Sequence, residues 1–346
     1  MALTSNTSDG QSSGAEANVS PWAPFRHGAF TLLWSATLLS NIGTWMHDVG
    51  AGWLMTELDP SPATVTLVQA ATMAPIFCFA LLAGAVADRF DKRRILLRVN
   101  LFLCLIIALM TGLVSAGVMT PGLLVLFTFA IGSLTAFAAP AWQAVVPRLV
   151  PKPVLSEALA LNSLGINLSR AIGPAIAGLL ITAVGTAAPF GVNALSCLIA
   201  AVAIFCWRPQ ATAVSTLPPE PLVGSIATGL RHAANNRALK ATLLRAMAFF
   251  LCASAFWSLL PLIARSFPGS DSRLYGLLLA SVGIGAVGGA LLLPGLRKRY
   301  GSNRLALAAS GLLALVLLTL AVSPNRYAAI AASLAGGLAW ITTMVN

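Results

Sequence analysis

Ten long apolar runs constrain the fold of this chain more than any other feature of its sequence. Each run is about 20 residues long or longer, which is the length that a helix needs to cross a bilayer. Backbone groups in lipid must be bonded within a helix or a closed barrel, and barrel strands alternate over only about ten residues. The sequence therefore predicts an all-α polytopic membrane protein. The runs cover about residues 29–56, 62–87, 95–118, 121–143, 156–184, 187–207, 241–264, 274–295, 303–322 and 326–345.

The low charge content points the same way. Only 9% of the 346 residues are charged and 58% are hydrophobic, whereas a soluble domain carries about 25% charged residues. Such a chain cannot cover itself with a solvated surface, so its solvent must be largely lipid. The net charge of +11 does not lie on a soluble domain with a basic face, which nucleic-acid binding requires. We therefore expect the lipid bilayer as a partner and no nucleic acid.

The placement of the cationic residues predicts the topology. Positively charged loops stay on the cytoplasmic side of a membrane. Of the 21 Lys and Arg residues, nearly all lie in the N-terminal segment or in the turns after even-numbered runs. This pattern predicts ten spans in the cytoplasmic membrane of a bacterium, with both termini in the cytoplasm. The exceptions are Arg170 within a run and Arg265, Arg273 and Arg326 on the opposite side.

The spacing of the runs divides the chain into four parts. A Ser- and Asn-rich segment over 1–25 is predicted to be a disordered cytoplasmic tail. Six runs form an N-terminal lobe over 26–207, and four form a partial C-terminal lobe over 241–346. Between them, a proline-rich and then basic amphipathic stretch over 208–240 predicts a central cytoplasmic loop with an interfacial helix.

The turn between the second and third runs carries a motif, G-x-x-x-D-R-x-x-K-R-R. Its residues are Gly84, Asp88, Arg89, Arg93 and Arg94, together with Lys92. The motif resembles the signature loop between helices 2 and 3 of the major facilitator superfamily, although Asp91 stands where that family usually has glycine. The resemblance implies a major facilitator fold, with a loop that latches and releases the two lobes. From the sequence we also expect Gly84 to permit close helix packing.

Three further stretches resemble the drug and siderophore exporters of that superfamily. They are FRHGAFTLLWSATLLSNIGTWMHDVGAGWLMTEL, PAWQAVVPRLVPKPVLSEALALNS and NLSRAIGPAIAGLL. Members of the superfamily normally have twelve helices, so the resemblance implies that the last two are missing after Asn346. The chain is then expected to be either a fragment or a truncated gene product.

The first run contains a polar stripe around a carboxyl group. Asn41, Thr44 and Trp45 lie seven, four and three residues before Asp48, so all four share one helical face. A charge at the centre of a spanning helix costs about 2.5–3.5 kcal/mol on insertion scales, so it needs a function or a partner. Asp48 is the candidate proton-coupling residue, and Asn41 and Trp45 are candidate cavity residues. A solvated outer-leaflet carboxylate, or one paired with His47, is the alternative.

A second polar stripe lies in the fifth run. It includes Asn167 and Arg170, and an arginine keeps its charge. Arg170 must therefore meet a carboxylate, carbonyl groups, water or an anionic substrate. Either a structural role between helices or contact with substrate satisfies this requirement, and we retain Asn167 and Arg170 as candidate cavity residues.

Gly173, Pro174 and Gly178 follow on the same helix. They resemble a reduced form of the antiporter motif of helix 5 in the superfamily. A proline inside a helix frees a carbonyl group and permits a kink, which is compatible with a gating bend.

No sequence signature of an enzyme or of an ATP-driven engine is present. There is no Walker loop, no H-E-x-x-H motif and no metal-ligand spacing, so we expect no catalytic residues, no metal and no cofactor. The resemblance implies a monomeric secondary transporter that exports siderophore- or drug-like small molecules by alternating access, with proton coupling. The alternative is a truncated, non-transporting homologue or a fragment of such a transporter.

Overall fold

A computed structural model describes residues 20–208, 236–269 and 271–345. Over these residues the chain folds into ten long α-helices with no strand. The tail predicted over 1–25 and the interfacial helix predicted within 208–240 lie largely outside the described residues. The helices are α1 Gly28–Leu58, α2 Pro62–Arg89, α3 Lys92–Ser115, α4 Pro121–Val145, α5 Leu155–Val184, α6 Ala188–Cys206, α7 Arg237–Ser266, α8 Ser272–Tyr300, α9 Ser302–Val322 and α10 Arg326–Val345.

Polar caps and glycines set the helix ends. The Ser61 hydroxyl accepts a hydrogen bond from the Thr64 backbone N–H at 3.3 Å, and Thr120 caps α4 in the same way. Proline follows each cap at the first helical position, where its missing N–H costs nothing. Gly301 has a φ of 75°, and this left-handed conformation reverses the chain between α8 and α9 within one residue.

Nine of the ten described helices are long and apolar enough to span a membrane. The exception is α1. It contains 31 residues, which makes it about 46 Å long at 1.5 Å per residue. Its length is therefore sufficient, but the polar residues between Asn41 and Asp48 lower its hydropathy. The sequence predicts ten spans, and the nine helices that are long and apolar enough leave out this one.

The helices alternate in direction, so the bundle has two ends. We call the end at which α2 ends and α3 begins the basic end, because Arg89, Lys92, Arg93 and Arg94 lie there. The opposite end, at which α1 ends and α2 begins, is the far end. α1 and α5 run in parallel, since Trp34 donates to the Leu161 carbonyl at 3.0 Å and Ser169 donates to the Leu38 carbonyl at 3.3 Å.

The described contacts between the first six and the last four helices run from the far end to about the middle of the bundle, where Gly283 of α8 approaches Ala171 of α5. One apolar core, which we call the shared core, joins α1 and α5 to α7–α10 through Val49, Ile181, Leu260 and Leu278. Towards the basic end, the first six helices have a separate core and the last four have another. The two groups of helices therefore share a core in the far half of the bundle, and each has a core of its own towards the basic end.

Candidate functional site

The signature loop is held by helix capping. The Asp91 carboxylate accepts a hydrogen bond from the Arg94 backbone N–H at 2.8 Å and so caps α3. Arg93 reaches the end of α6, where its Nε donates to the Ile204 carbonyl at 3.1 Å and its Nη2 donates to the Phe205 carbonyl at 2.5 Å. A cation at a helix C-terminus also complements the helix dipole. The loop thus ties the ends of α2, α3 and α6 together.

Two expectations about this loop change with the structure. A Cβ atom added to Gly84 would meet nothing within 4 Å, so the expected close helix packing at Gly84 is wrong for the described residues. Asp91 departs from the family motif, and here it supplies the N-cap of α3. Asp88, Arg89 and Arg94 are exposed at the basic end.

A partly polar cavity of about 230 Å³, lined by both polar and apolar side chains, lies inside the first six helices. It is lined by α1, α3, α4, α5 and α6. Asp48 and Asn41 line it, as the polar stripe predicted, and Asn100 and Thr135 face them from α3 and α4. Trp45 does not line it. Because α1 packs on both α5 and α6, the predicted stripe has two sides: Asn41 and Asp48 face the cavity, and Trp45 faces α5.

His47 is a further cavity residue, which the sequence analysis named only as a possible partner of Asp48. Its side chain is 3% exposed, and its ring packs edge-on against Phe190 with a centroid distance of 4.9 Å. Neither ring nitrogen has a hydrogen-bond partner in the structure. Buried polar groups are normally bonded, so His47 is a free buried imidazole at the cavity wall, next to a carboxyl residue.

Arg170 and Trp45 meet beside this cavity. The guanidinium carbon lies 5.3 Å from the centroid of the Trp45 ring, which is a cation–π geometry. The Arg170 Nε is buried without a partner. Asn167 donates from its side-chain nitrogen to the Ser163 carbonyl at 2.9 Å. The candidate residues therefore form two groups: Asn41 and Asp48 at the cavity, and Trp45 and Arg170 on its α5 flank.

The helix-5 motif brings α5 into close contact with two other helices. A Cβ atom on Gly173 would lie 2.6 Å from the Trp45 Cβ, and one on Gly178 would lie 2.7 Å from the Ser272 carbonyl oxygen. On the facing helix α8, a Cβ atom on Gly276 would lie 2.5 Å from the Pro174 carbonyl oxygen. Sequence reasoning missed Gly276 and Gly283, which also approaches α5, because no motif marks them.

Polar contacts of Arg265 and of Ser272, whose hydroxyl also donates to the Gly178 carbonyl at 3.1 Å, join the two groups of helices at the far end. The Arg265 guanidinium of α7 donates to the Thr56 carbonyl and, at 3.1 Å, to the Thr56 hydroxyl. The hydroxyl groups of Thr182 on α5 and Ser272 on α8 lie 2.9 Å apart. We call the Arg265–Thr56 contact the far-end latch. It was not predicted, since Thr56 carries no recognisable signal.

Metal ligands and ion pairs are scarce among the residues that the structure describes. Within residues 20–208, 236–269 and 271–345, no cluster of three or more His, Cys, Asp or Glu side chains is placed to hold a metal ion. In the same ranges, one salt bridge is present, between the Arg273 Nε and the Asp271 Oδ2 at 3.6 Å. The charges of Asp48 and Arg170 are therefore not paired with each other.

Comparison with known sequences places the chain among membrane transporters. The profile of a family described as "Transmembrane secretion effector" matches residues 19–346. A staphyloferrin A transporter of Staphylococcus aureus is 27% identical over 292 residues, which are 82% of this chain and 71% of that protein. The multidrug efflux pump Tap of Mycobacterium tuberculosis is 30% identical over 62% of this chain and 53% of its own length. Macrolide efflux protein A of Streptococcus pyogenes is 25% identical over 81% of this chain and 69% of that protein.

Solved structures support the fold. A bacterial homologue of the human lysosomal transporter Spinster, in an inward-facing and unoccupied conformation, matches with a TM-score of 0.68 and 15% identity over 93% of this chain and 75% of that one. The nucleoside transporter NupG matches with a TM-score of 0.73 and 13% identity over 92% of this chain and 81% of that one. Identities this low carry the fold alone, which is the major facilitator fold predicted from the signature loop.

Proposed function

We propose that this chain, which belongs to the transmembrane secretion effector family of the major facilitator superfamily, is a secondary active exporter of small molecules. The family and its relatives are membrane transporters and not enzymes. The names of the relatives support siderophore- or drug-like cargo and the outward direction. The chain covers between 53% and 71% of the lengths of the three relatives described above, so export by this chain itself is part of the proposal.

Alternating access is the proposed mechanism, and the arrangement of the apolar cores is the observation that carries it. The shared core and the far-end latch hold the two groups of helices together at the far end, while each group keeps its own core towards the basic end. Two bodies fastened at one end can rock about that contact and expose a central site to either side. We assign the basic end to the cytoplasm, because cationic loops stay inside.

Asp48 is the proposed proton-coupling residue. It is the one carboxyl residue in the described helices that lies more than two turns from a helix end, and it lines the polar cavity. Taking up a proton from the far side removes its charge, and releasing the proton to the cytoplasm restores it. The proton shifts the equilibrium between the two lobe arrangements by its different affinity for them.

The signature loop and helix 5 complete the proposed transport cycle. Arg93 and Asp91 keep the loop rigid at the basic end, where Asp88 and Arg89 remain exposed for contacts with the other lobe. Gly173 and Gly178 let α5 slide against α1 and α8 at backbone contact. The transporter works as a monomer, since the cavity and the shared core lie within one chain, and both termini lie in the cytoplasm of the bacterium.

The alternative is a non-transporting homologue or a fragment of a longer exporter. Both proposals predict the same lobe contacts, and they differ in whether this chain moves cargo.

Export from membrane vesicles separates the two. Inside-out vesicles that contain the chain are given an imposed proton gradient, and uptake of a labelled siderophore or macrolide is followed. The unaltered chain should accumulate cargo, and Asp48→Asn should lose the gradient-driven part. Glu157→Gln is the matched control, because this carboxylate at the basic end of α5 bonds only to its neighbour Ser156. Gradient-driven export by Asp48→Asn at the unaltered rate excludes Asp48 as the coupling site, and no export by the unaltered chain supports the alternative.

A further inference from the structure

We propose that Arg170 and Trp45 form a subsite for the carboxylate of an organic anion, so that the cargo is an amphiphilic carboxylate. This inference rests on the proposed function, because it names the chemical class that the exporter would carry. Its evidence is separate from that for proton coupling. It comes from an arginine near the middle of α5 whose charge the described chain does not neutralise.

The helices around Arg170 supply no counter-ion. α1, α6 and α8 pack against α5, and their acidic residues are Asp48 and Glu57, both on α1. Neither forms an ion pair with Arg170. Glu57 instead accepts hydrogen bonds from Trp53 and Thr186 at the far end. An arginine at membrane depth remains charged, so an anion from outside the described chain is the missing partner.

The stacking geometry leaves the correct donors free. The Arg170 guanidinium carbon lies over the Trp45 ring at 5.3 Å from its centroid, and Gly173 allows this placement because a side chain there would collide with the Trp45 Cβ. Stacking uses the face and leaves the N–H edge available. That edge is a rigid fork that matches the two oxygens of a carboxylate. The Nε of this fork is buried and has no partner.

The surroundings suit the rest of an amphiphile. Ile166, one helical turn before Arg170, and Asn41, one turn before Trp45, both line the polar cavity, whereas Arg170 and Trp45 do not. The subsite therefore borders the cavity. Asn41 makes no hydrogen bond within the described residues, so its amide is available at the cavity wall. Apolar side chains line other walls of the cavity, among them Leu103, Ile131 and Trp142. A ligand with its carboxylate on Arg170 would place its apolar body there.

Equilibrium binding to the purified chain tests this subsite. The probes are 2-naphthoate and its neutral isostere 2-naphthamide, measured by titration calorimetry in a non-ionic detergent. The unaltered chain should bind the carboxylate about tenfold or more tightly than the amide, since hydrogen bonds to a charged group carry that preference. Arg170→Gln should remove the preference and leave amide binding unchanged, and Arg170→Lys should keep part of it, because lysine retains the charge without the fork.

The control variant is Arg326→Gln. Arg326 is exposed at the start of α10 and contacts only its neighbour Tyr327, so its loss should leave both affinities unchanged. Equal binding of the two probes by the unaltered chain, no binding of the carboxylate, or an unchanged preference in Arg170→Gln would overturn the proposal. So would displacement of naphthoate by an equal concentration of chloride or of anionic phosphatidylglycerol, which would assign the site to an inorganic anion or a lipid headgroup.

The design separates this inference from the proposed function. The probe comparison on the unaltered chain needs no variant to fold, and it needs no transport. If the chain prefers the carboxylate in an Arg170-dependent way but does not export cargo in vesicles, the subsite is supported and the exporter proposal is refuted. If the chain exports cargo but shows no preference for the carboxylate, the exporter proposal is supported and the subsite is refuted.

Discussion

Loss of the far-end latch should open the far end of the bundle. Arg265→Ala removes the donors that α7 offers to the Thr56 carbonyl and hydroxyl on α1. No other described hydrogen bond joins these two helices. The remaining far-end contacts are those of the Ser272 hydroxyl with the Thr182 hydroxyl and the Gly178 carbonyl, together with the shared core, so the variant should still fold.

The size of the shift follows from the type of bond. Hydrogen bonds from a charged donor contribute about 1.5–3 kcal/mol when shielded. The Arg265 side chain is exposed at the end of α7, so screening lowers its contribution to about 0.5–1 kcal/mol. That difference changes the ratio of far-closed to far-open molecules by about 2- to 5-fold.

Spin-label distances at the far end measure this ratio. Val184 at the end of α5 and Tyr327 at the start of α10 are exposed, at 73% and 67%, and they belong to different groups of helices. With labels at both positions in a cysteine-free background, Arg265→Ala should populate a longer distance. Arg273→Ala is the matched control, since its ion pair with Asp271 stays within one turn. An unchanged distance distribution in Arg265→Ala, or an equal change in the control, refutes the latch.

Two further substitutions test local features by thermal denaturation. Gly276→Leu should destabilise the fold by about 1–3 kcal/mol through overpacking, because its Cβ would lie 2.5 Å from the Pro174 carbonyl oxygen. Gly84→Leu should change the stability by no more than about 0.5 kcal/mol, because its Cβ meets nothing within 4 Å. Equal losses of stability in the two variants would contradict the packing described at both glycines. Asp91→Ala should cost about 1 kcal/mol through loss of the N-cap of α3, and Asp91→Asn should retain most of it; a neutral Asp91→Ala would show that the cap contributes nothing.

The positions of the helices were largely predictable from the sequence, because a helix that crosses lipid must be apolar along most of its length. Hydropathy located all ten of them, and most ends lie within three residues of the prediction. The larger errors are at α7, which begins at Arg237 instead of 241, and at α8, which ends at Tyr300 instead of near 295. Both extensions carry Lys and Arg side chains, which lower the hydropathy but continue a helix without strain.

The candidate site was predictable only in part. Spacing on a helix places Asn41 and Asp48 on one face, and both line the cavity. Spacing does not show which neighbouring helix packs against the edge of that face. It therefore groups Trp45 with Asn41 and Asp48, although Trp45 packs against Arg170 on α5. The far-end latch and the α8 glycines depend on the register between distant helices. A single sequence contains no local signal for such a register, and the missing contact at Gly84 shows the same limit.

Paired distances at both ends of one molecule test alternating access most directly. Spin labels at Val184 and Tyr327 report the far end, and labels at the exposed residues Arg94 and Leu307 report the basic end. On changing from pH 8 to pH 5, the proposed mechanism predicts that the two distances change in opposite directions, and that Asp48→Asn abolishes the change. Distances that move in the same direction, or that stay fixed while cargo is exported, would contradict it.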